Sequence, residues 1–120
     1  MKGLHLTADL YRCRCGAPWL SDAERLLDWC ASSARAVGLE PLGHAFLVTE
    51  DGGASGTILM AGAHVCVHTW PTEKAATADV YVSNTATDQS AKARGLMSAL
   101  VQRFQPEWTE QRSLDRGDEE

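Results

Sequence analysis

No stretch of this sequence is both long and apolar, which excludes the simplest kind of membrane protein. A transmembrane helix needs about 20 consecutive apolar residues, and no segment of the 120 residues approaches that length. Residues 1–9 also lack the apolar centre of a secretory signal. We therefore expect a cytoplasmic protein without a membrane partner.

Positive charge is scarce as well. The chain has 11 Lys and Arg residues against 16 Asp and Glu residues, a net charge of −5, and the bases form no stripe that would bind nucleic acid. Four of the acids lie in residues 113–120. We interpret that segment as an acidic C-terminal tail, which follows a single domain over residues 1–112.

Cysteine is too sparse and too irregularly spaced for a disulfide framework. The four thiols are Cys13, Cys15, Cys30 and Cys66, and the gap between the first two does not match a zinc knuckle. We expect reduced thiols, with Cys30 packed as a small apolar residue.

Hydrophobic spacing predicts the secondary structure. A helix starting at Ser21, with Ser21 and Glu24 as a capping box, keeps its apolar residues on one face and ends at Gly38. A second helix over residues 89–104 contains Gly95, which suggests a close neighbour. The predicted strands cover residues 4–11, 42–49, 57–61, 64–70, 77–82 and 108–112.

This element order predicts an α+β fold. The economical arrangement is a two-layer sandwich in which two helices cover one face of a mainly antiparallel sheet. The other face is left partly apolar. We therefore expect a homodimer that packs sheet against sheet.

The densest group of chemically capable residues lies on the predicted strand over residues 64–70. His64, Cys66 and His68 alternate there, so they share one face. Imidazole and thiolate groups can transfer protons, and they also bind zinc or copper. From the residues alone, an acid–base site, a metal site and ordinary polar residues of a sheet all stay open.

Several segments together resemble one known family. They are residues 3–13 (GLHLTADLYRC), 44–46 (HAF), 55–56 (SG), 64–71 (HVCVHTWP) and 79–81 (DVY). On these segments the chain is similar to the small prokaryotic S-adenosylmethionine decarboxylases of polyamine biosynthesis. The resemblance implies that family's fold over nearly the whole chain, with active sites near a dimer interface.

The resemblance also implies a cofactor, and here the sequence departs from the family. Members are made as proenzymes, in which a serine between a glutamate and a histidine cleaves its own chain and becomes a pyruvoyl group. This chain has Gly62, Ala63 and His64 at those positions. Ala63 has no hydroxyl for the acyl shift or the later elimination. We therefore expect no pyruvoyl cofactor, while a bound metal remains an alternative.

Other family roles transfer residue by residue. Ser55 and His68 match the serine and histidine that act in processing, and Ser83 stands where the family has a proton-donating cysteine. Together with the Ala63 position, these are the catalytic positions that the resemblance implies.

The implied ligand-binding residues are Phe46, Trp70, Thr72 and Glu73. Phe46 matches an aromatic residue that stacks on the adenine or sulfonium group. Thr72 replaces a glutamate that holds the substrate ribose, and Glu73 comes one position later, which on a strand would turn it to the other face.

Three functions follow as hypotheses. The first is a homologue that does not self-process and that binds an S-adenosylmethionine-like or polyamine-like molecule, as a homodimer or with an active paralogue that it regulates. The second is a different enzyme that uses His64, Cys66 and His68, with or without a metal. The third is residual decarboxylation through a pyruvoyl group made from Ser55 or Cys66.

Overall fold

A computed structural model describes residues 1–117 of the chain. Six strands form one antiparallel sheet in the order β2-β3-β4-β5-β1-β6. The α+β fold predicted from the sequence is confirmed. The strands are β1 (Lys2–Tyr11), β2 (Gly43–Val48), β3 (Ala54–Met60), β4 (Ala63–Trp70), β5 (Ala75–Ser83) and β6 (Trp108–Gly117).

Three helices complete the structure, one more than the sequence predicted. They are α1 (Pro18–Ser21), α2 (Ala23–Ala36) and α3 (Ser90–Phe104). The apolar sides of α2 and α3 pack on the sheet, where Leu26, Leu96 and Phe104 are fully buried. In the described part of the chain, no helix is long and apolar enough to span a membrane.

The predicted start of the first long helix is wrong. Ser21 belongs to α1, where its hydroxyl donates to the carbonyl oxygen of Ala17 at 3.0 Å. Asp22 caps α2 instead, because its carboxylate accepts from the backbone N–H of Arg25 at 3.1 Å. Pro18, at the first position of α1, favours this extra turn.

The predictions about two glycines and one cysteine are confirmed. Gly38 follows α2 with a φ of +93°, as a left-handed helix ending requires. A Cβ atom on Gly95 would lie 3.2 Å from the side chain of Val37, so α3 passes close to the end of α2. Cys30 is buried in the core as a free thiol, and burial raises its pKa to about 12.

Two predicted strand ends are also wrong. β3 begins at Ala54 rather than at residue 57, because the turn before it closes tightly, with the N–H of Thr49 donating to the carbonyl oxygen of Gly53 at 2.8 Å. β6 runs through Gly117 rather than ending at residue 112, since it pairs with β1 along its whole length. The predicted acidic tail thus starts inside a strand, and its residues 118–120 lie outside the described residues.

The sheet has one covered face and one open face. Along β4, Val65 and Val67 point toward the helices and are 1% exposed, while the alternate residues point away. The side of the sheet without helices is its open face. Its central residues are His5, Thr7, Asp9, Ser55, Thr57, Leu59, His64, Cys66, His68, Trp70, Thr77, Asp79 and Tyr81.

Candidate functional site

Strand β4 places the three predicted chemical residues on the open face. His64, Cys66 and His68 alternate with buried residues, as the period of a strand requires. Within residues 1–117, however, no three His, Cys, Asp or Glu side chains gather closely enough to hold a metal ion. The prediction that His64, Cys66 and His68 share one face is confirmed. Metal binding by these residues stays a prediction.

Ser55 and His68 are in direct contact. The two residues lie opposite each other on β3 and β4. The Ser55 Oγ and the His68 Nδ1 are 2.8 Å apart. An imidazole at this distance can take a proton from the hydroxyl or give one to it. The ring of Trp70 lies 6.3 Å from that of His68, so an aromatic surface adjoins the pair.

A second group forms at the other end of β4, around Gly62 and Ala63. The backbone N–H of Ser83 donates to the carbonyl oxygen of Gly62 at 2.9 Å. Gly62 has a φ of +64°, and a Cβ atom there would lie 3.2 Å from the Cβ of Ser83. Ser83 is thus a neighbour of the Gly62–Ala63 peptide. Ala63 itself is buried on the covered face.

These two groups do not meet within one chain. Ala63 and His68 are five residues apart on one extended strand, which corresponds to about 17 Å at roughly 3.4 Å per residue. The Ser55–His68 pair therefore cannot act on the Gly62–Ala63 peptide of its own chain without a large rearrangement.

Phe46 lies on the opposite side of the sheet from that pair. It is paired with Gly56 on β3. A Cβ atom on Gly56 would overlap the Phe46 ring, so the ring covers the glycine. Both residues belong to the covered face, where Phe46 packs against the core. The structure thus places Phe46 as a packing residue of the covered face. It does not bring Phe46 to Ser55 and His68.

Thr72 and Glu73 lie in the turn over residues 71–74, since β4 ends at Trp70. The expectation that a shift of one position turns Glu73 to the other face of a strand is therefore wrong, because neither residue is on a strand. Both are exposed and follow Trp70 directly.

The structure also shows a cluster of side chains that the sequence does not predict. The rings of His5, His64 and Tyr81 lie together on the open face, with His64 stacked on Tyr81 at 5.7 Å. Asp79 lies 3.9 Å from the Nε2 of His5. Burial lowers the pKa of His64, the neighbouring His5 lowers it further, and Asp79 opposes the shift.

Cys66 completes the row next to this cluster. Its Sγ lies 3.2 Å from the Oγ1 of Thr57 on β3. The only signal for these contacts in the sequence is the period-two spacing of each strand. The register between strands, which brings them together, is not readable from it.

Comparisons with known proteins agree with this geometry. The sequence profile of the S-adenosylmethionine decarboxylase family matches residues 4–117. A protein of Hydrogenobaculum named S-adenosylmethionine decarboxylase proenzyme is 35% identical, over 96% of this chain and 81% of its own. One of Aquifex aeolicus with the same name is 30% identical over the same shares.

The fold is shared with a solved structure too. The crystal structure of the adenosylmethionine decarboxylase of Aquifex aeolicus superimposes with a TM-score of 0.86 at 29% identity, covering 98% of this chain and 92% of the other. The profile match and the relatives cover nearly all of the sheet and the helices on which the site is built. The chain therefore belongs to the S-adenosylmethionine decarboxylase family.

Proposed function

We propose that this protein is a family member that does not form a pyruvoyl group, and that it binds a small cationic ligand on the open face of its sheet. The observation that carries the proposal is the alanine at position 63, beside the left-handed Gly62 and next to Ser83. The Hydrogenobaculum and Aquifex aeolicus relatives carry the name proenzyme, which fits processing of their own chains.

The side chain present at position 63 does not fit the cofactor chemistry. A pyruvoyl group requires a side-chain oxygen or sulfur that attacks the preceding carbonyl and is later eliminated. The methyl group of Ala63 supplies neither, and it points into the core. Ser55 and Cys66, the other residues considered as precursors, lie inside paired strands, where cleavage would break the sheet.

The open face has the chemistry to bind a cation. Trp70 is 37% exposed beside His68, and an aromatic ring of this kind attracts a sulfonium or ammonium group. Asp79 adds negative charge to the same face, whereas Asp9 is already paired with Arg112 at 3.3 Å. These features support an S-adenosylmethionine-like or polyamine-like ligand, with Thr72 and Glu73 at the edge of the site.

The same face supports a second copy or an active relative as partner. Large apolar side chains are exposed there on both sides of the polar residues, including Leu59 and Leu114. Such side chains mark a surface that a partner covers. A cytoplasmic location remains a prediction.

The decisive experiment is intact-mass spectrometry of the freshly purified protein under denaturing conditions. We expect one species at the full mass of 13.0 kDa. The Aquifex aeolicus enzyme, purified in the same way, serves as the control that shows processing is detected. Two fragments that join at residues 62 and 63 would overturn the proposal.

The variant Ala63→Ser tests whether that single position explains the loss. We expect little or no cleavage and no decarboxylation, because Gly62, Thr72 and Ser83 also depart from the family. Mass spectrometry and a carbon dioxide release assay measure the two properties. Efficient cleavage with turnover would show that the other three positions matter less than proposed.

Ligand binding is tested separately by isothermal titration with S-adenosylmethionine and with spermidine. We expect one of the two to bind, and His68→Ala to weaken its binding at least about tenfold through loss of the contact next to Trp70. His44→Ala, on the edge strand β2, is the matched control and should bind like the unaltered chain. Equal binding by both variants would show that His68 is not part of the ligand site.

A further inference from the structure

A separate cleft of about 620 Å³ lies away from the open face. Its walls come from the segment after β1, from α1 and the residue before it, from the turn between β4 and β5, and from the residue before β6. Neither Ser55 nor His68 lines it. The charged and thiol residues that line it are Arg12, Arg14, Lys74, Glu107, Cys13 and Cys15.

The charge of this cleft is opposite to that of the chain. Three of its side chains are cationic, although the whole protein carries −5. Its one carboxylate, on Glu107, is already paired with Arg12 at 3.5 Å. In residues 1–117, Arg14 and Lys74 have no carboxylate within 4.0 Å. Among the described residues, two positive charges in the cleft therefore have no carboxylate partner.

The thiols of the cleft do not supply that negative charge. Burial raises the pKa of Cys13 to about 11, and the neighbouring Cys15 adds to the shift. Burial also raises the pKa of Cys15, although the nearby Arg103 guanidinium opposes it. Both groups are neutral thiols near pH 7, so they do not repel an anion.

The backbone around the cleft is held in an unusual conformation. In the described part of the chain, the non-glycine residues with positive φ are Arg12, Lys74 and Gln105, at 52°, 52° and 50°. Arg12 and Lys74 line this cleft, and the carbonyl oxygen of Gln105 accepts from the N–H of Arg14, which also lines it. A positive φ is rare in residues other than glycine. Residues held in this conformation tend to cluster where a ligand is bound.

Hydrogen bonds fix these residues relative to one another. The N–H of Cys13 donates to the carbonyl oxygen of Lys74 at 2.7 Å, and the N–H of Arg14 donates to that of Gln105 at 2.9 Å. The segments that carry the two uncompensated cations are therefore tied together before any ligand arrives. A site arranged in this way loses little conformational freedom on binding.

We propose that this cleft binds a small anion through a phosphate or carboxylate group, with Arg14 and Lys74 as its main contacts. The planar guanidinium of Arg14 can donate two hydrogen bonds to such a group, and Lys74 supplies a point charge. Lys74 belongs to the same turn as Thr72 and Glu73. Binding in the cleft should therefore also alter the surroundings of Thr72 and Glu73, at the edge of the candidate ligand site. The proposal does not depend on that site.

The test is a titration of the ¹⁵N-labelled full chain, followed by the positions of its backbone amide signals. Inorganic phosphate and acetate are added in separate experiments, with sodium chloride as the reference at equal ionic strength. We expect saturable shifts at Arg14, Cys15 and Lys74, with smaller shifts at Thr72 and Glu73. A stronger response to phosphate identifies a phosphate ligand, and a stronger response to acetate a carboxylate ligand.

The double variant Arg14→Gln, Lys74→Gln should weaken this binding at least about tenfold. Both residues are exposed, and the two single variants serve if the double variant does not fold. Arg35→Gln, at the far end of α2, is the matched control that should bind like the unaltered chain. Shifts that do not saturate, that chloride reproduces, or that persist in the Arg14 and Lys74 variants would overturn the proposal.

Discussion

The covered and open faces of the sheet differ in what their side chains do, and β4 contributes to both. On the covered face, Val65 and Val67 are buried among the helices. On the open face, Cys66 and His68 contact polar groups of β3. The fold thus depends on the buried residues of β4, and the chemistry depends on the alternate residues that face away from the helices.

The departures from the family are distributed accordingly. Ser83 lies on the side of β5 away from the core, and Thr72 lies in an exposed turn. Neither is needed for the packing of α2 and α3. Ala63 is the exception, because it points into the core, where a small methyl group packs without an unpaired polar atom. The family's fold can therefore persist while the side chains at these positions differ.

The largest expected effect lies on the covered face. Phe104→Ala removes a ring that is 0% exposed, and we expect a loss of about 3–5 kcal/mol in the free energy of unfolding because a cavity remains. Urea unfolding measures it. The matched variant Leu114→Ala, at a side chain that is 57% exposed on the open face, should cost less than about 0.5 kcal/mol at protein concentrations where no second copy is bound. A large loss for Leu114→Ala would mean that a partner covers the open face in solution.

A smaller effect should follow from one buried hydroxyl. The Thr69 hydroxyl donates to the carbonyl oxygen of Leu20 at 2.7 Å and accepts from the N–H of Ala54 at 2.8 Å. Thr69→Val should lower the free energy of unfolding by about 1–3 kcal/mol, since both partners stay buried without it. Thr77→Val, at the residue opposite His68 on the open face, is the control. Equal losses in the two variants would contradict the distinction between the faces.

The smallest effect concerns the open face and depends on pH. The pKa of His64 lies below its ordinary value of 6.5 because of burial and the neighbouring His5. As the pH falls below 6.5, the unfolded chain therefore binds this proton before the folded chain does, and stability decreases toward the lower folded pKa. Above pH 6.5 this contribution is absent.

We expect His64→Gln to lessen the loss of stability between about pH 7.5 and about pH 5.5. Urea unfolding midpoints across that range measure it. His44→Gln, on β2, should keep the dependence of the unaltered chain. If His64→Gln kept it too, the titration of His64 would not be the source.

Periodicity predicted most of the fold because each element has one buried side. The six strands and two long helices were all expected, and their alternation placed His64, Cys66 and His68 on one face. The errors lie where local preference is weak. Ala54 and Ser55 are poor strand formers that join β3 only through pairing. Residues 113–117 extend β6 because β1 pairs with that strand along its whole length.

The candidate site was predicted in its parts and not in its arrangement. The roles of Ser55 and His68 came from the resemblance, and their direct contact came from the register between β3 and β4. The register between β2 and β3 places Phe46 on the covered face, away from them. Nothing in the spacing of one strand specifies which residues of the next strand lie opposite.

The sequence by itself determined the absence of a hydroxyl at Ala63, because that is a property of one side chain. It also determined which residues of each strand share a face, because side chains alternate along an extended backbone. The tertiary structure decided which of them meet. Antiparallel pairing brings Ser55 and His68, 13 positions apart, to 2.8 Å, while the extended backbone of β4 keeps Ala63 and His68 apart.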